Sequence, residues 1–187
     1  MMIIEGQINC TRCSLSRTRT QVVIGHGDPK ADIMVVAESP GEQEDMAGVP
    51  LVGKAGQKLN QLLEGVGLSR PSLFASNIVM CRPVANRLRD FPDAVVTCDW
   101  WKDELLAVRP RVLIPMGRYS TANWFPPALS MEEIATLARA VRWEYKGETL
   151  EFVVVGCLHP AYVLRGGGKA AEESIKKSLS RAKEYAA

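Results

Sequence analysis

Four cysteines constrain this chain more than any other feature. Cys10 and Cys13 form a C-x2-C pair near the N-terminus, and Cys81 and Cys98 answer it far downstream. Either the fold brings these distant segments around one metal centre, or it buries the thiols as small apolar side chains. Four thiolates are soft ligands that select zinc or an iron–sulfur cluster. A zinc ribbon would normally carry a second C-x2-C knuckle, and none is present, which favours iron–sulfur. Cys157 stands outside the set and reads as a core thiol at a strand end.

At 187 residues the chain can bury one substantial core, and a single domain over 1–187 is expected. No apolar run approaches a membrane span. Residues 1–7 are too short and polar to be read as a signal peptide. A reducing cytoplasm is therefore expected, and the five cysteines do not read as a disulfide framework. A net charge of +2 marks no polyanion binder as a whole. The basic residues nevertheless cluster beside the motifs treated below: Arg12, Arg17 and Arg19; Arg82, Arg87 and Arg89; Arg165 and Lys169. Such clusters are commonly solvated faces, but together they also suit a phosphate-tracking surface.

The apolar runs 33–38, 73–80 and 111–116 read as buried parallel strands. Helical spacing runs from Gly53 to Val66, from Pro92 to Val108 with Cys98 on one side, from Gly117, over 131–138, and from Ala170 to Tyr185. Residues 142–146 and 149–155 pattern as a hairpin turned at Lys146-Gly147. This alternation predicts a three-layer α/β/α sandwich with a central, mostly parallel sheet of about four strands, plus an N-terminal cysteine segment. Ligands in such sheets sit beyond the carboxyl ends of the strands. Glu38-Ser39-Pro40-Gly41, Asn77 and His159-Pro160 all fall there.

Four stretches of text carry a resemblance: 37–45 (AESPGEQED), 48–56 (GVPLVGKAG), 77–83 (NIVMCRP) and 159–165 (HPAYVLR). Each alone is weak. In this order, with the cysteine pattern, they resemble the iron–sulfur (family four) branch of the uracil-DNA glycosylase superfamily over nearly the whole chain. The resemblance implies a 4Fe–4S cluster on Cys10, Cys13, Cys81 and Cys98. It implies DNA as partner, a monomer, and hydrolysis of the N-glycosidic bond of a base flipped out of the stack. The role in view is base-excision repair.

Such chemistry needs a donor at the base oxygen, a group to orient water, and a grip on phosphates. His159 would donate to a pyrimidine carbonyl as negative charge develops. Glu38 resembles the family's acidic residue near the attacking water. Asn77 resembles the residue that reads the base edge; its amide matches uracil in one orientation and cytosine in the other. Asn86 falls where the family has a further polar active-site residue. Glu44 matches the acidic position near the pyrimidine C5 edge. The helix start at Gly53-Lys54 offers N–H groups to a phosphate. Arg82, Arg87 and Arg165 would add cations, and Leu164 before a glycine run would wedge into the base stack. His26 reads as a surface residue. Trp100 and Trp101 read as core and cover for the cysteines.

The chain departs from the family at Leu51, where Phe normally sandwiches the flipped base, and at Ala37 and Ser39 in place of Gly and Ala. Base–aromatic stacking is worth roughly 1–3 kcal/mol. Leucine keeps apolar contact without a π face. Uracil bound less tightly is one consequence. A slot for a hydroxymethylated or glucosylated cytosine in phage DNA, with a role in anti-phage defence, is another. A glycosylase-like module that holds DNA without cutting is the third reading. No lysine accompanies the motifs as a Schiff-base nucleophile, so the enzyme reading is monofunctional. The branch that traps uracil-DNA covalently is set aside, because Cys81-Arg82-Pro83 is intact and no His lies between Val84 and Cys98.

Overall fold

The structure, a computed structural model, describes residues 4–187. Residues 1–3 of the N-terminal stretch weighed above as a signal peptide lie outside the described residues. Strand β1 (His26–Gly27) precedes β2 (Ile33–Ala37). Helices α1 (Glu42–Ala47) and α2 (Lys54–Glu64) lead to β3 (Leu73–Asn77). Next come α3 (Pro92–Thr97), α4 (Trp100–Val108), β4 (Val112–Pro115), α5 (Arg118–Thr121) and α6 (Met131–Ile134). Strands β5 (Ala138–Tyr145) and β6 (Glu148–Val155) form the hairpin, and α7 (Pro160–Tyr162) and α8 (Gly168–Ala186) close the chain. Among the described residues no helix is long and apolar enough to cross a membrane.

The sheet has the order β1-β3-β2-β4-β6-β5. Strands β3, β2, β4 and β6 run parallel, and β1 and β5 add antiparallel edges. Successive side chains of a strand face opposite ways. Met34 and Val36 of β2 and Phe74 of β3 pack with Trp101 and Leu105 of α4. Ile33, Val35 and Ala37, with Leu73 and Ala75, pack on Leu59, Leu62 and Leu63 of α2 and on Ile175 and Leu179 of α8. This is the expected three-layer sandwich, with six strands rather than about four.

Two further expectations are corrected. The continuous helix over 92–108 is two helices, because Cys98 leaves α3 in an extended conformation (ψ 106°) and frees its sulfur from helical geometry. The helix over 131–138 ends at Ile134, and Ala138 instead opens β5. The hairpin turn falls at Lys146 and Gly147, both with positive φ (50° and 80°), as a two-residue turn of this hand requires.

Candidate active site and cysteine cradle

The carboxyl ends of β2, β3 and β6 enclose a cavity of about 470 Å³ lined by Glu38, Glu44, Leu51, Lys54, Asn77, Asn86, His159 and Arg165 among others. Register explains the convergence. Ala37 lies beside Asn77 in the parallel ladder, and the next two residues keep the loops together through Ile78 N–H to Ala37 O (3.0 Å) and Val79 N–H to Glu38 O (3.1 Å).

Glu38 follows β2 directly. Its Oε1 accepts the Tyr119 N–H at 3.1 Å, in the first turn of α5 after β4. Burial raises the Glu38 carboxyl above its ordinary value, against the lowering pull of that N–H and of the Arg165 charge. Gly117 makes the approach possible: its φ is +91°, and a Cβ there would stand 2.6 Å from Glu38 Oε1. The sequence reading missed Gly117 and Tyr119, since a glycine after a strand carries no distinctive pattern.

His159 caps α7. Its Nδ1 accepts the Ala161 N–H at 3.1 Å, which leaves Nε2 as the proton-bearing nitrogen of the neutral ring. Burial, reinforced by the Arg165 charge, pulls this imidazole down to about 4, so it is neutral at physiological pH. Asn77 is 2% exposed, and its Nδ2 is buried without a hydrogen-bond partner. A buried donor left unpaired costs roughly 1–3 kcal/mol, so the position is built for an acceptor that arrives with a ligand.

Leu51 is 6% exposed and holds a left-handed backbone (φ 57°), uncommon for a non-glycine residue. Its carbonyl packs where a Cβ on Gly56 would collide, at 1.7 Å. Asn86 is also left-handed (φ 57°), and its Oδ1 accepts from Arg82 Nε at 3.0 Å.

Several assigned roles change with the geometry. Glu44 lines the cavity, but its carboxylate accepts the N–H groups of Gly41 (3.1 Å), Val52 (3.0 Å) and Gly53 (2.7 Å). It organises the loop rather than presenting a free acid to a base. The Gly53 N–H is thereby consumed, and only Lys54 and the following turn of α2 face outward for a phosphate. Arg82 and Arg87 do not line the cavity. Arg82 braces Asn86 and pairs with Glu42 (3.3 Å), while Arg87 pairs with Asp90 (3.0 Å) on the surface. Exposed pairs of this kind are weak and exchange readily for other anions. Leu164 is 49% exposed in a turn of π-helix (Val163–Gly167) outside the cavity, where an apolar wedge would have to stand. His26 is exposed, and Cys157 is fully buried beyond β6.

On the α4 side of the sheet, Cys10, Cys13, Cys81 and Cys98 line one small apolar cavity with Val22, Met80 and Trp100. Trp101 packs in the core behind it. The Met80 N–H points at Cys98 Sγ (3.5 Å). Arg19 spans two cysteine segments, donating through Nη1 to Cys81 Sγ (3.3 Å) and through Nη2 to Cys10 O (2.5 Å). Arg12 stacks over Trp100 (4.5 Å) and pairs with Asp99 (2.5 Å), tying the N-terminal pair to the Cys98 segment. Burial pushes Cys81 up to about 11 and Cys98 up to about 12, so these thiols ionise only with a compensating positive charge. Among the described residues no three His, Cys, Asp or Glu groups converge tightly enough for a single metal ion. The donor set, four thiols lining one apolar cavity, has the chemistry of a thiolate-held centre.

Comparison with known proteins agrees with this arrangement. A profile of the uracil DNA glycosylase superfamily matches residues 24–183. The chain is 36% identical over 179 residues to a type-4 uracil-DNA glycosylase of Sulfurisphaera tokodaii, covering 94% of this chain and 81% of the relative. It is 36% identical over 165 residues to the type-4 enzyme of Archaeoglobus fulgidus, covering 87% and 81%. It is 28% identical over 186 residues to that of Thermotoga maritima, covering 99% and 94%. The profile match and these identities show that the chain belongs to the uracil-DNA glycosylase superfamily, on the side of its type-4 members.

Proposed function

We propose that the protein is a monofunctional uracil-DNA glycosylase that starts base-excision repair by releasing uracil and leaving an abasic site. The observation that carries this reading is the meeting of Glu38, Asn77 and His159 on one cavity, with Asn77 Nδ2 unpaired. A flipped uracil offers that donor its O4 acceptor, which cytosine replaces with an amino group. The Glu38 carboxylate orients a water toward C1′ and takes its proton as the C–O bond forms. The N1–C1′ bond breaks, with its electron pair leaving on the uracil ring. His159 Nε2–H donates a hydrogen bond to the oxygen that gains this charge, and the neutral imidazole does so while keeping its own proton. Lys54 and Arg165 at the cavity mouth fit flanking phosphates.

Cys10, Cys13, Cys81 and Cys98 would hold a 4Fe–4S cluster. When bound, it supplies a rigid inorganic cross-link between the N-terminus and the loop that carries Asn86. The single-domain organisation, a monomeric state and a cytoplasmic setting belong to the same reading.

One observation supports a second base. Leu51 walls the slot without a ring, and Glu44 is committed to backbone donors, so a pyrimidine with a bulky C5 group meets less opposition. Duplexes carrying uracil, 5-hydroxymethylcytosine or its glucosylated form, incubated with the protein and then cleaved at abasic sites with alkali, separate the readings. Cleavage of the uracil duplex is expected. Cleavage of the modified cytosines alone would replace uracil as substrate, and no cleavage of any duplex would overturn the enzyme reading.

A further inference from the structure

Glu104 is a buried carboxyl that the mechanism does not use. It is 0% exposed, on the inner face of α4. Its Oε1 accepts from Gln7 Nε2 (2.8 Å) and from the Gly25 N–H (2.7 Å), and its Oε2 accepts from Ser76 Oγ (2.5 Å). The space is built for it: a Cβ on Gly25 would stand 2.6 Å from Glu104 Oε2 and 2.5 Å from the Phe74 ring. An unpaired carboxyl here would be costly, and a fully bonded one cross-links the N-terminal stretch, the approach to β1, β3 and α4 at one point.

Those segments are informative. Gln7 lies in the N-terminal stretch, and its carbonyl accepts the Cys10 N–H (3.3 Å). Helix α4 begins two residues after Cys98. Ser76 immediately precedes Asn77 on β3, and its side chain faces α4 while that of Asn77 faces the cavity. Gly25 leads into β1, which pairs with β3 at Ala75. The N-terminal cysteine segment and the helix that follows Cys98 therefore converge on the residue beside the base reader.

We propose that Glu104 is a positioning residue for base recognition: through Ser76 it sets the end of β3 that presents Asn77, and through Gln7 and α4 it ties that setting to the cysteine cradle. The inference rests on the uracil-glycosylase reading. If that reading fails, the wild-type protein itself cleaves no uracil duplex. If only this inference fails, the wild type cleaves normally and the variants below match it.

The test compares Glu104→Gln, Glu104→Leu and Ser76→Ala with wild type. Readouts are kcat and KM on uracil duplexes, Kd for a duplex carrying non-cleavable 2′-fluoro-2′-deoxyuridine, the uracil-to-cytosine discrimination ratio, iron per chain and thermal midpoint. Glutamine can accept at Oε1 and donate to Ser76 Oγ, so Glu104→Gln is expected to stay within about threefold of wild type in every readout. Ser76→Ala and Glu104→Leu are expected to weaken analogue binding and lower discrimination by roughly 10–100-fold, the range seen when supporting partners of a site are removed. Glu104→Leu is also expected to lose iron. Should Glu104→Leu fail to fold, Ser76→Ala carries the test, since it removes one hydroxyl. Lowered thermal midpoints with unchanged Kd and discrimination would reduce Glu104 to a core residue and overturn the inference.

Discussion

The base cavity and the cysteine cradle lie on opposite sides of the same strand ends and are built by opposite rules. The cavity leaves Asn77 Nδ2 unpaired, bends Leu51 and Asn86 into left-handed backbone and raises the proton affinity of Glu38. The cradle is apolar and cross-braced, with Arg19 and Arg12 joining segments far apart in sequence. One region stores unfavourable terms that a ligand relieves; the other spends hydrogen bonds to fix its shape. The difference teaches that function and stability are segregated across the sheet, with β3 as the shared wall.

The largest expected effect tests that segregation directly. Asn77→Ala and His159→Ala should each lower kcat/KM on uracil DNA by roughly 10²–10³-fold, the usual loss of one preorganised donor. Asn77→Ala should leave the thermal midpoint unchanged or raise it, because it removes an unpaired buried donor. A large fall in the midpoint of Asn77→Ala would break the comparison.

Acidity gives the next largest effect. Glu38 acts ionised, so kcat/KM should rise about tenfold per pH unit up to a carboxyl value above the ordinary one, then level off. Glu38→Gln should be slow and flat across that range. His159 is already neutral above about 4 and should contribute no limb of its own there. It acts instead on stability. Between its ordinary value of 6.5 and about 4 the unfolded chain takes up a proton that the folded chain refuses, so stability falls as pH drops through that window. Chemical denaturation at several pH values should show a steeper fall through this window in wild type than in His159→Gln.

On the cradle side, with the proposed cluster bound, Arg19→Ala should weaken its retention by about tenfold, read as faster bleaching under a chelator, while the cavity groups stay in place. Two smaller effects sharpen the cavity side. Leu51→Phe restores a ring and should lower KM for uracil DNA by about tenfold, given roughly 1–3 kcal/mol for stacking. Leu164→Ala should weaken duplex binding a few-fold and single-strand binding less, since only a duplex must be wedged open.

Much of this was legible in the sequence for a physical reason. Strands β2, β3 and β4 are buried on both faces, so their runs announce them, while β6, exposed along its first half, was legible through the hairpin turn; the motifs at the strand ends inherit a common location. Strand β1 spans two residues and has no pattern to read. The helix break at Cys98 was hidden because side-chain spacing does not report backbone direction. For Glu44 and Arg82, residue type could not say that each charge is also held by its own loop. Glu104 did leave a signal: it shares the face of Trp101, Leu105 and Val108, where a carboxylate has no place without partners.

The backbone under Leu51 limits how this slot can change. A left-handed residue tolerates unbranched and aromatic side chains but disfavours Val, Ile and Thr, whose branched carbon crowds that geometry. The gap that admits a nucleobase can thus be retuned only in coarse jumps, between flat rings and flexible chains. Closely related proteins that differ at this one position would then differ in which damaged or decorated bases they tolerate, with the rest of the catalytic apparatus untouched.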